Sequence, residues 1–246
     1  MPIGILVNGL SVALGGMIGA AAGQRLPEWF RRELTLVFGI CSMGMGISSI
    51  GLMRYMPAVI FAVVLGTALG LACRLGSWIN RGASYMEKPI ALVFKGGGTR
   101  LPREEYMSLL VTVIVLFCAS GTGIYGSLDS GISGDHSVLI SKSILDFFTA
   151  MIFASSLGLA VPLIAVPQCA IFLTIFFAAQ FAGPLITPDM TADFKACGGI
   201  LLMATGLRIA KIKEFPIADM IPAMALVMPA SGLWAQYILP LLQGAG

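Results

Sequence analysis

The chain of 246 residues is 57% hydrophobic and only 11% charged, and its mean hydropathy is +0.92. Because soluble domains carry about 25% charged residues, this composition excludes an ordinary soluble protein. The net charge of +3 reflects basic residues in loops and does not indicate a nucleic-acid partner. We therefore predict an all-α integral membrane protein whose single transmembrane domain covers residues 1–246 and lies in the lipid bilayer.

Eight apolar runs in the sequence are long enough to form membrane-spanning helices. No basic segment precedes the first run, so we expect it to remain as a helix rather than to be cleaved as a signal peptide. A polar connection separates the third run from the fourth. In chain order the runs cover residues 3–23, 34–53, 57–74, 107–125, 138–160, 163–182, 195–210 and 217–241.

The distribution of lysine and arginine predicts the topology, because basic residues stay on the cytoplasmic side in short loops. With the N-terminus outside, the cytoplasmic side receives the first loop, the connection after the third run and the loop after the seventh. These segments hold all of the 15 basic residues except Arg54, Lys142 and Lys195. The alternation predicts eight spans with both termini outside the cytoplasm.

The sequence also contains a weak internal repeat. A shift of 160 residues places the first three runs on the last three, and the two copies start an odd number of spans apart, so they cross the membrane in opposite directions. We predict repeat one at 3–75, a cytoplasmic connection at 76–106, a central helix pair at 107–160 and inverted repeat two at 163–241. Inverted repeats are typical of secondary transporters. The matched pairs include Asn8 with Gln168, Glu33 with Asp193, Gly39 with Gly199, Met43 with Met203 and Gly46 with Gly206.

Three places in these runs can interrupt a helix near the middle of the membrane, where freed backbone groups can bind a substrate or an ion. They are the Ser-Gly-Thr-Gly segment 120–123, the Ser-Met-Gly-Met-Gly segment 42–46, and the prolines at 222 and 229 in the last run. Glycine tolerates unwound backbone and proline removes a helical donor. Each place, taken alone, can equally be a kink or a close helix contact.

Lys142 and Asp146 lie four residues apart in the fifth run, on one face of the predicted helix, and Thr149 continues that face. Charges are expensive in lipid, so this pair is expected to face protein or water. It is the first functional candidate, although the pair can also serve only to hold helices together, because a buried ion pair is weak evidence even for stability.

Enzymatic chemistry is not expected. Catalysis inside a membrane needs several acidic or histidine residues within the spans, and only Asp146 is placed securely in one. Asp129, Asp135 and the single histidine, His136, are assigned to a glycine-rich outer loop, where the histidine is expected to be solvated. The five isolated cysteines form no C-x-x-C pair, so disulfides, a metal and a cofactor are not predicted either.

A set of short motifs in the central and later runs carries a family resemblance: Phe117-Cys118, Gly126-Ser127, Gly131, Gly134-Asp135, Lys142-Ser143, Asp146, Ala154-Ser155, Gly158, Gly198-Gly199, Gly206 and Pro222-Ala223. On these residues the chain resembles, over nearly its whole length, the bacterial membrane family of unknown function typified by YqgA and YdfK. It departs from the family pattern at Thr122-Gly123, where methionine and alanine are usual, and at Asp129-Ser130. The resemblance implies a multi-span protein of the bacterial inner membrane and supplies no substrate.

The leading functional hypothesis is a secondary transporter of a small polar solute, coupled to a proton or a sodium ion. In this hypothesis Asp146 carries the coupling ion or pairs with a substrate amine. Lys142 keeps that carboxylate ionised or contacts an anionic solute. The predicted substrate- or ion-binding residues are Asp146, Lys142, Ser120, Gly121, Thr122, Gly123, Thr149, Asn8 and Gln168.

Two other classes of function fit the same sequence. A passive channel with this lining would conduct without a coupling ion and without saturating at modest solute concentrations. A structural or regulatory membrane subunit would use the glycine seams to bind partner helices. Such small-residue seams also predict a homo-oligomer.

Overall fold

A computed structural model of the protein describes residues 1–22, 27–82, 85, 103–182 and 186–243, so most of the predicted connection 76–106 lies outside the described residues. Within these ranges the chain forms helices and turns and no β-strand, which confirms the all-helical prediction. The helices are α1 (Ile3–Ala22), α2 (Glu28–Ile50), α3 (Met56–Ala72), α4 (Leu75–Gly82), α5 (Arg103–Cys118), α6 (Gly121–Ile132), α7 (Ser137–Leu157), α8 (Ala160–Ala182), α9 (Pro188–Ile209), α10 (Ile217–Met220), α11 (Pro222–Leu233) and α12 (Leu239–Gln243), with a π-helical turn at Trp234–Ile238.

Six described segments are long and apolar enough to cross a membrane, and α3 with α4, bent by 60° at their junction, would make a seventh. The helix α9 is not among them, because it carries charged residues in several of its turns. Several spans are therefore supported by the structure, whereas the predicted number of eight is not established. The six segments are Ile3–Ala21, Arg32–Ile50, Leu109–Ile132, Ser137–Leu157, Ala160–Phe181 and Ile217–Leu242.

The helices form two groups, and α6 packs between them. One apolar core is built from α1, α5, α7 and α8, around Val12, Phe117 and Ile164. The other is built mainly from α3, α9, α10 and α11, around Phe194 and Met224. Because α6 packs against both α8 and α9, its side chains lie at the boundary between the groups.

Glycines allow the first group to pack closely. Gly15 and Gly19 of α1 lie against the backbone of Phe147 and Met151 in α7. A Cβ atom at either glycine would overlap a carbonyl oxygen of α7, so only glycine permits this approach. Gly15 and Gly19 therefore serve to pack α1 against α7 within the chain.

The predicted helix interruptions have different outcomes. The break at segment 120–123 is confirmed, because α5 ends at Cys118 and α6 begins at Gly121. The prediction of a break at 42–46 is wrong, since α2 is continuous and its glycine at position 46 packs against the backbone of Gly199 in α9. In the last run the helix is interrupted before Pro222, while Pro229 lies inside α11.

The predicted glycine-rich loop after residue 125 is largely helical. The helix α6 continues to Ile132, and Asp129, which was assigned to the loop, lies on its buried face with 1% exposure. The helix forms despite its glycines because they bring neighbours close, as Gly131 does against the backbone of Phe176 in α8. His136 is half-buried and shares a hydrogen bond of 2.6 Å with the Ser130 hydroxyl, so the expected solvated histidine is wrong.

Candidate functional site

The centre of the site is the ion pair on α7. Lys142 Nζ donates a hydrogen bond to Asp146 Oδ2, one helical turn away, and the two residues are 3% and 7% exposed. The ammonium group also lies 5.9 Å from the centroid of the Phe117 ring on α5, within the range of a cation–π contact. The pair therefore faces protein on α5 rather than lipid, as its cost in lipid requires.

Two amide side chains extend the ion pair to the neighbouring helices. Asn8 Nδ2 on α1 donates to Asp146 Oδ2 over 2.9 Å, and Gln168 Nε2 on α8 donates to Asn8 Oδ1 over 2.6 Å. Both amides are fully buried, and Gln168 Oε1 has no hydrogen-bond partner among the described residues. The structure thus joins into one network four residues that the sequence placed on three separate helices.

A cavity of about 350 Å³ opens beside this network. Lys142, Asp146 and Thr149 line it from α7, and the segment 120–122 lines it from the start of α6. Gly123 was predicted to join them but packs against the Phe172 ring instead. The volume lies within the range of small-molecule pockets, about 300–1,000 Å³.

The walls of the cavity are mostly apolar, and its mouth is charged. Arg208, Lys211 and Glu214 line it at the end of α9 and the turn that follows. Arg208 Nε lies 3.1 Å from Glu214 Oε2, and both side chains are exposed, so the cavity reaches solvent at this end. A smaller hollow of about 250 Å³ on the outer face of α1 and α7 is open and has no charged side chain in its lining.

The break between α5 and α6 gives the cavity its polar wall. The Ser120 hydroxyl accepts a hydrogen bond of 3.1 Å from Gly123 N and so caps α6. The N–H groups of the first turn of a helix have no acceptor within that helix, and they carry partial positive charge. Gly121 and Thr122 form this turn and line the cavity, and among the described residues no hydrogen bond from their N–H groups is found.

A second polar cluster, at the other end of α6, was missed by the sequence reasoning. Lys195 Nζ on α9 lies 2.8 Å from Asp135 Oδ2 and 3.4 Å from Asp129 Oδ1. The Ser133 hydroxyl donates to Asp129 Oδ1 over 2.7 Å, whereas Asp129 Oδ2 is buried without a partner among the described residues. Hydrogen bonds from Lys195 and Ser137 lower the pKa of the Asp135 carboxyl below its usual range.

This cluster connects α6, the start of α7 and α9. A signal for it exists in the sequence, because Thr122, Gly126 and Asp129 recur at the three-to-four-residue spacing of one helix face. The many glycines of this segment favoured a loop and concealed that spacing.

Asp193 on α9 is a third buried carboxylate, and its hydrogen bonds are structural. It is fully buried and accepts hydrogen bonds from Arg54 N over 2.7 Å, Tyr55 N over 3.0 Å and the Ser231 hydroxyl over 2.7 Å. These contacts fix the start of α3 and the helix α11 against α9. They lie away from the residues that line the cavity.

Comparisons with known proteins identify relatives of uncharacterised function. A family model described as "Protein of unknown function (DUF554)" matches residues 3–232. The chain is 46% identical over 237 residues to "Uncharacterized protein YqgA" of Escherichia coli (strain K12), covering 96% of this chain and 99% of that protein. It is 23% identical over 223 residues to "Uncharacterized membrane protein YdfK" of Bacillus subtilis (strain 168), covering 91% and 93%. No solved structure gives a significant match.

Proposed function

We propose that this chain, which belongs to the DUF554 family of proteins of unknown function, is a secondary transporter of a small polar solute in the bacterial inner membrane. The observation that carries the proposal is the cavity beside the Lys142–Asp146 pair, reached from one end of the helix bundle. Its polar wall is an interrupted helix, which is the usual way in which transporters expose backbone groups to a substrate.

The contacts between α2 and α9 support the inverted repeat in this proposal. Gly39 faces Gly206, and Gly46 faces Gly199. Under the shift of 160 residues, position 39 corresponds to position 199 and position 46 to position 206. The two contacts are therefore equivalent, as they would be if a two-fold axis related the two helices. Asn8 and Gln168, which correspond to each other under this shift, also bond to each other.

We further propose that α9 is the eighth span. Two of its charged residues are held by protein contacts, Asp193 by the backbone of residues 54–55 and Lys195 by Asp129 and Asp135, while Asp189 and Arg208 lie at its two ends. A helix shielded from lipid needs less hydropathy than one that faces it. With eight spans, both termini are periplasmic, and the basic mouth at Arg208 and Lys211 is cytoplasmic.

This arrangement favours a transporter over a channel. The cavity reaches solvent at the Arg208 end, while the ion cluster of Asp129, Asp135 and Lys195 ties α6, α7 and α9 together at the other end. A site accessible from one side at a time is what alternating access requires. A channel needs a continuous path.

The first test is thermal unfolding of the purified protein in detergent with a panel of metabolites and ions. A ligand that binds only the folded state stabilises it by RT ln(1 + [L]/Kd), about 2.7 kcal/mol at a hundredfold excess over Kd. The double variant Lys142→Met/Asp146→Asn removes both cavity charges, and Glu33→Gln removes an exposed charge of α2 as a matched control. We expect a solute that raises the unfolding temperature of the wild type and the control but not of the double variant.

The second test uses that solute in proteoliposomes. Vesicles loaded with unlabelled solute should transiently concentrate labelled solute above its external level, because a transporter exchanges one for the other. Simple equilibration would indicate a channel. An unfolding temperature that no member of the panel changes, in all three folded proteins, would oppose transport and favour a structural membrane subunit.

A further inference from the structure

The charges that line the cavity are biased toward the positive sign. Lys142, Arg208 and Lys211 are basic, whereas Asp146 and Glu214 are acidic. The two acidic groups are each paired with a basic one, so Lys211 at the mouth is in excess. The first turn of α6 adds partial positive charge to the same space. An anionic solute complements this lining better than a neutral or cationic one.

Resting on the proposed transport function, we infer that the solute is a small organic monoanion, held between Lys142 and the start of α6, and that each anion enters together with one proton on Asp146. The cavity supplies its donors: the N–H groups of Gly121 and Thr122 and the ammonium group of Lys142. A carboxylate bound to such N–H groups makes strong, charge-assisted hydrogen bonds.

The obstacle to anion binding is that Lys142 is already paired with Asp146. With Asp146 ionised, a bound carboxylate would leave two negative charges against one ammonium group in a buried site, which is costly. A proton on Asp146 neutralises the side chain and releases Lys142 to the carboxylate. Lys142, the neutral Asp146 and the bound carboxylate then have no net charge together, and the ion pair without a ligand has none either. The proton comes from solution, and no bond to the solute forms or breaks.

The surroundings of Asp146 leave this carboxylate as the acidic group at the inner end of the cavity. From α1 it meets the Asn8 amide, to which Gln168 of α8 donates in turn, and α2 and α6 contribute hydroxyl groups to the cavity wall. Both hydrogen bonds to it reach Oδ2, so Oδ1 is the oxygen on which a proton can be added without displacing Asn8. The other titratable or charged groups around the ion pair are Cys118 on α5, which lies near Lys142 and near Cys169 of α8, and, at the mouth, Arg208, Lys211 and Glu214.

The test is calorimetric titration of the whole protein in detergent with charge-matched probes. The anions are lactate and propionate, their neutral counterparts are lactamide and propionamide, and ethylammonium is the cation. Repeating each titration in buffers of different ionisation enthalpy gives the number of protons bound per ligand. For the wild type we expect anion binding with uptake of about one proton per bound anion, and affinity that falls by up to about tenfold per pH unit as the pH rises.

Variants separate the two parts of the inference. Asp146→Asn imitates the protonated state, so it should bind the anion without proton uptake and without dependence on pH. The double variant Lys142→Met/Asp146→Asn should lose anion binding, while Glu33→Gln should behave as the wild type. The pH series on the wild type decides the matter even if a single variant does not fold.

Three results would overturn the inference. Equal or tighter binding of an amide or of ethylammonium would refute the anionic class of solute. Anion binding without proton uptake would refute the role of Asp146. In either case the transporter proposal would stand. Binding of no probe of any charge, with no response in the wider thermal panel, would remove the transporter proposal as well.

Discussion

The buried pair Lys142–Asp146 should behave as one unit when its charges are removed. In Lys142→Met the Asp146 carboxylate stays buried beside Asn8 without its counter-charge, and in Asp146→Asn the ammonium group is left in the same position. Removing one partner of a buried pair costs about 3–5 kcal/mol, whereas replacing both is often neutral. We therefore expect each single variant to lose several kcal/mol and the double variant to recover most of the loss.

The assay is reversible unfolding in mixed micelles for the wild type, both single variants and the double variant. The coupling energy of the cycle should be roughly 3 kcal/mol or more. Each single variant should melt about 6–20 °C lower, from a loss of about 3–5 kcal/mol at about 2–4 °C per kcal/mol in a chain of this size. A parallel cycle on the exposed pair Arg208–Glu214 should give less than about 1 kcal/mol. Additive losses from Lys142→Met and Asp146→Asn would refute the pairing and, with it, the charge balance argued for the cavity.

Three further predictions concern packing, pH and capping. Gly15→Ala should lower the unfolding temperature by forcing α1 away from α7, at about 1–3 kcal/mol, whereas Gly44→Ala, which meets open space, should not destabilise. Asp135 has a pKa lowered by Lys195, so its contribution is present above the unfolded value of about 3.9 and is lost as pH falls below it. Asp135→Asn should therefore lower the unfolding temperature at neutral pH, and its difference from the wild type should shrink in acid. Ser120→Ala should cost about 1 kcal/mol and Ser120→Gly only a few tenths, as measured by the same unfolding assay.

The parts of the site that could be predicted from sequence depend on short-range rules. The i, i+4 spacing of Lys142 and Asp146 defined the ion pair before any fold was known. The internal repeat singled out Asn8 and Gln168 as equivalent, and the structure adds that they bond to each other and to Asp146. Whether these side chains come within hydrogen-bond distance depends on how α1, α7 and α8 pack, and no local sequence pattern specifies that packing.

The parts that could not be predicted depend on glycine in a tertiary setting. In α6 glycine lowered the expected helicity, but the close approach of Gly131 to α8 compensates for the lost propensity. In α2 the glycine at position 46 suggested an interruption, yet it lies against α9 in an unbroken helix. Asp129 was placed in a loop for the same reason, so the ion cluster at that end of α6 was not foreseen.

The break at residues 119–120 also has a mechanical consequence. The backbone hydrogen bond of Ala119 N goes to Val115 O in α5, and that of Ile124 N goes to Ser120 O in α6. A change in tilt between the two helices can therefore be accommodated by rotation about a few backbone bonds of Ala119 and Ser120, with both helices intact. The helices α5 and α6 can thus pivot as rigid bodies about a hinge at residues 119–120, and both hinge residues line the cavity.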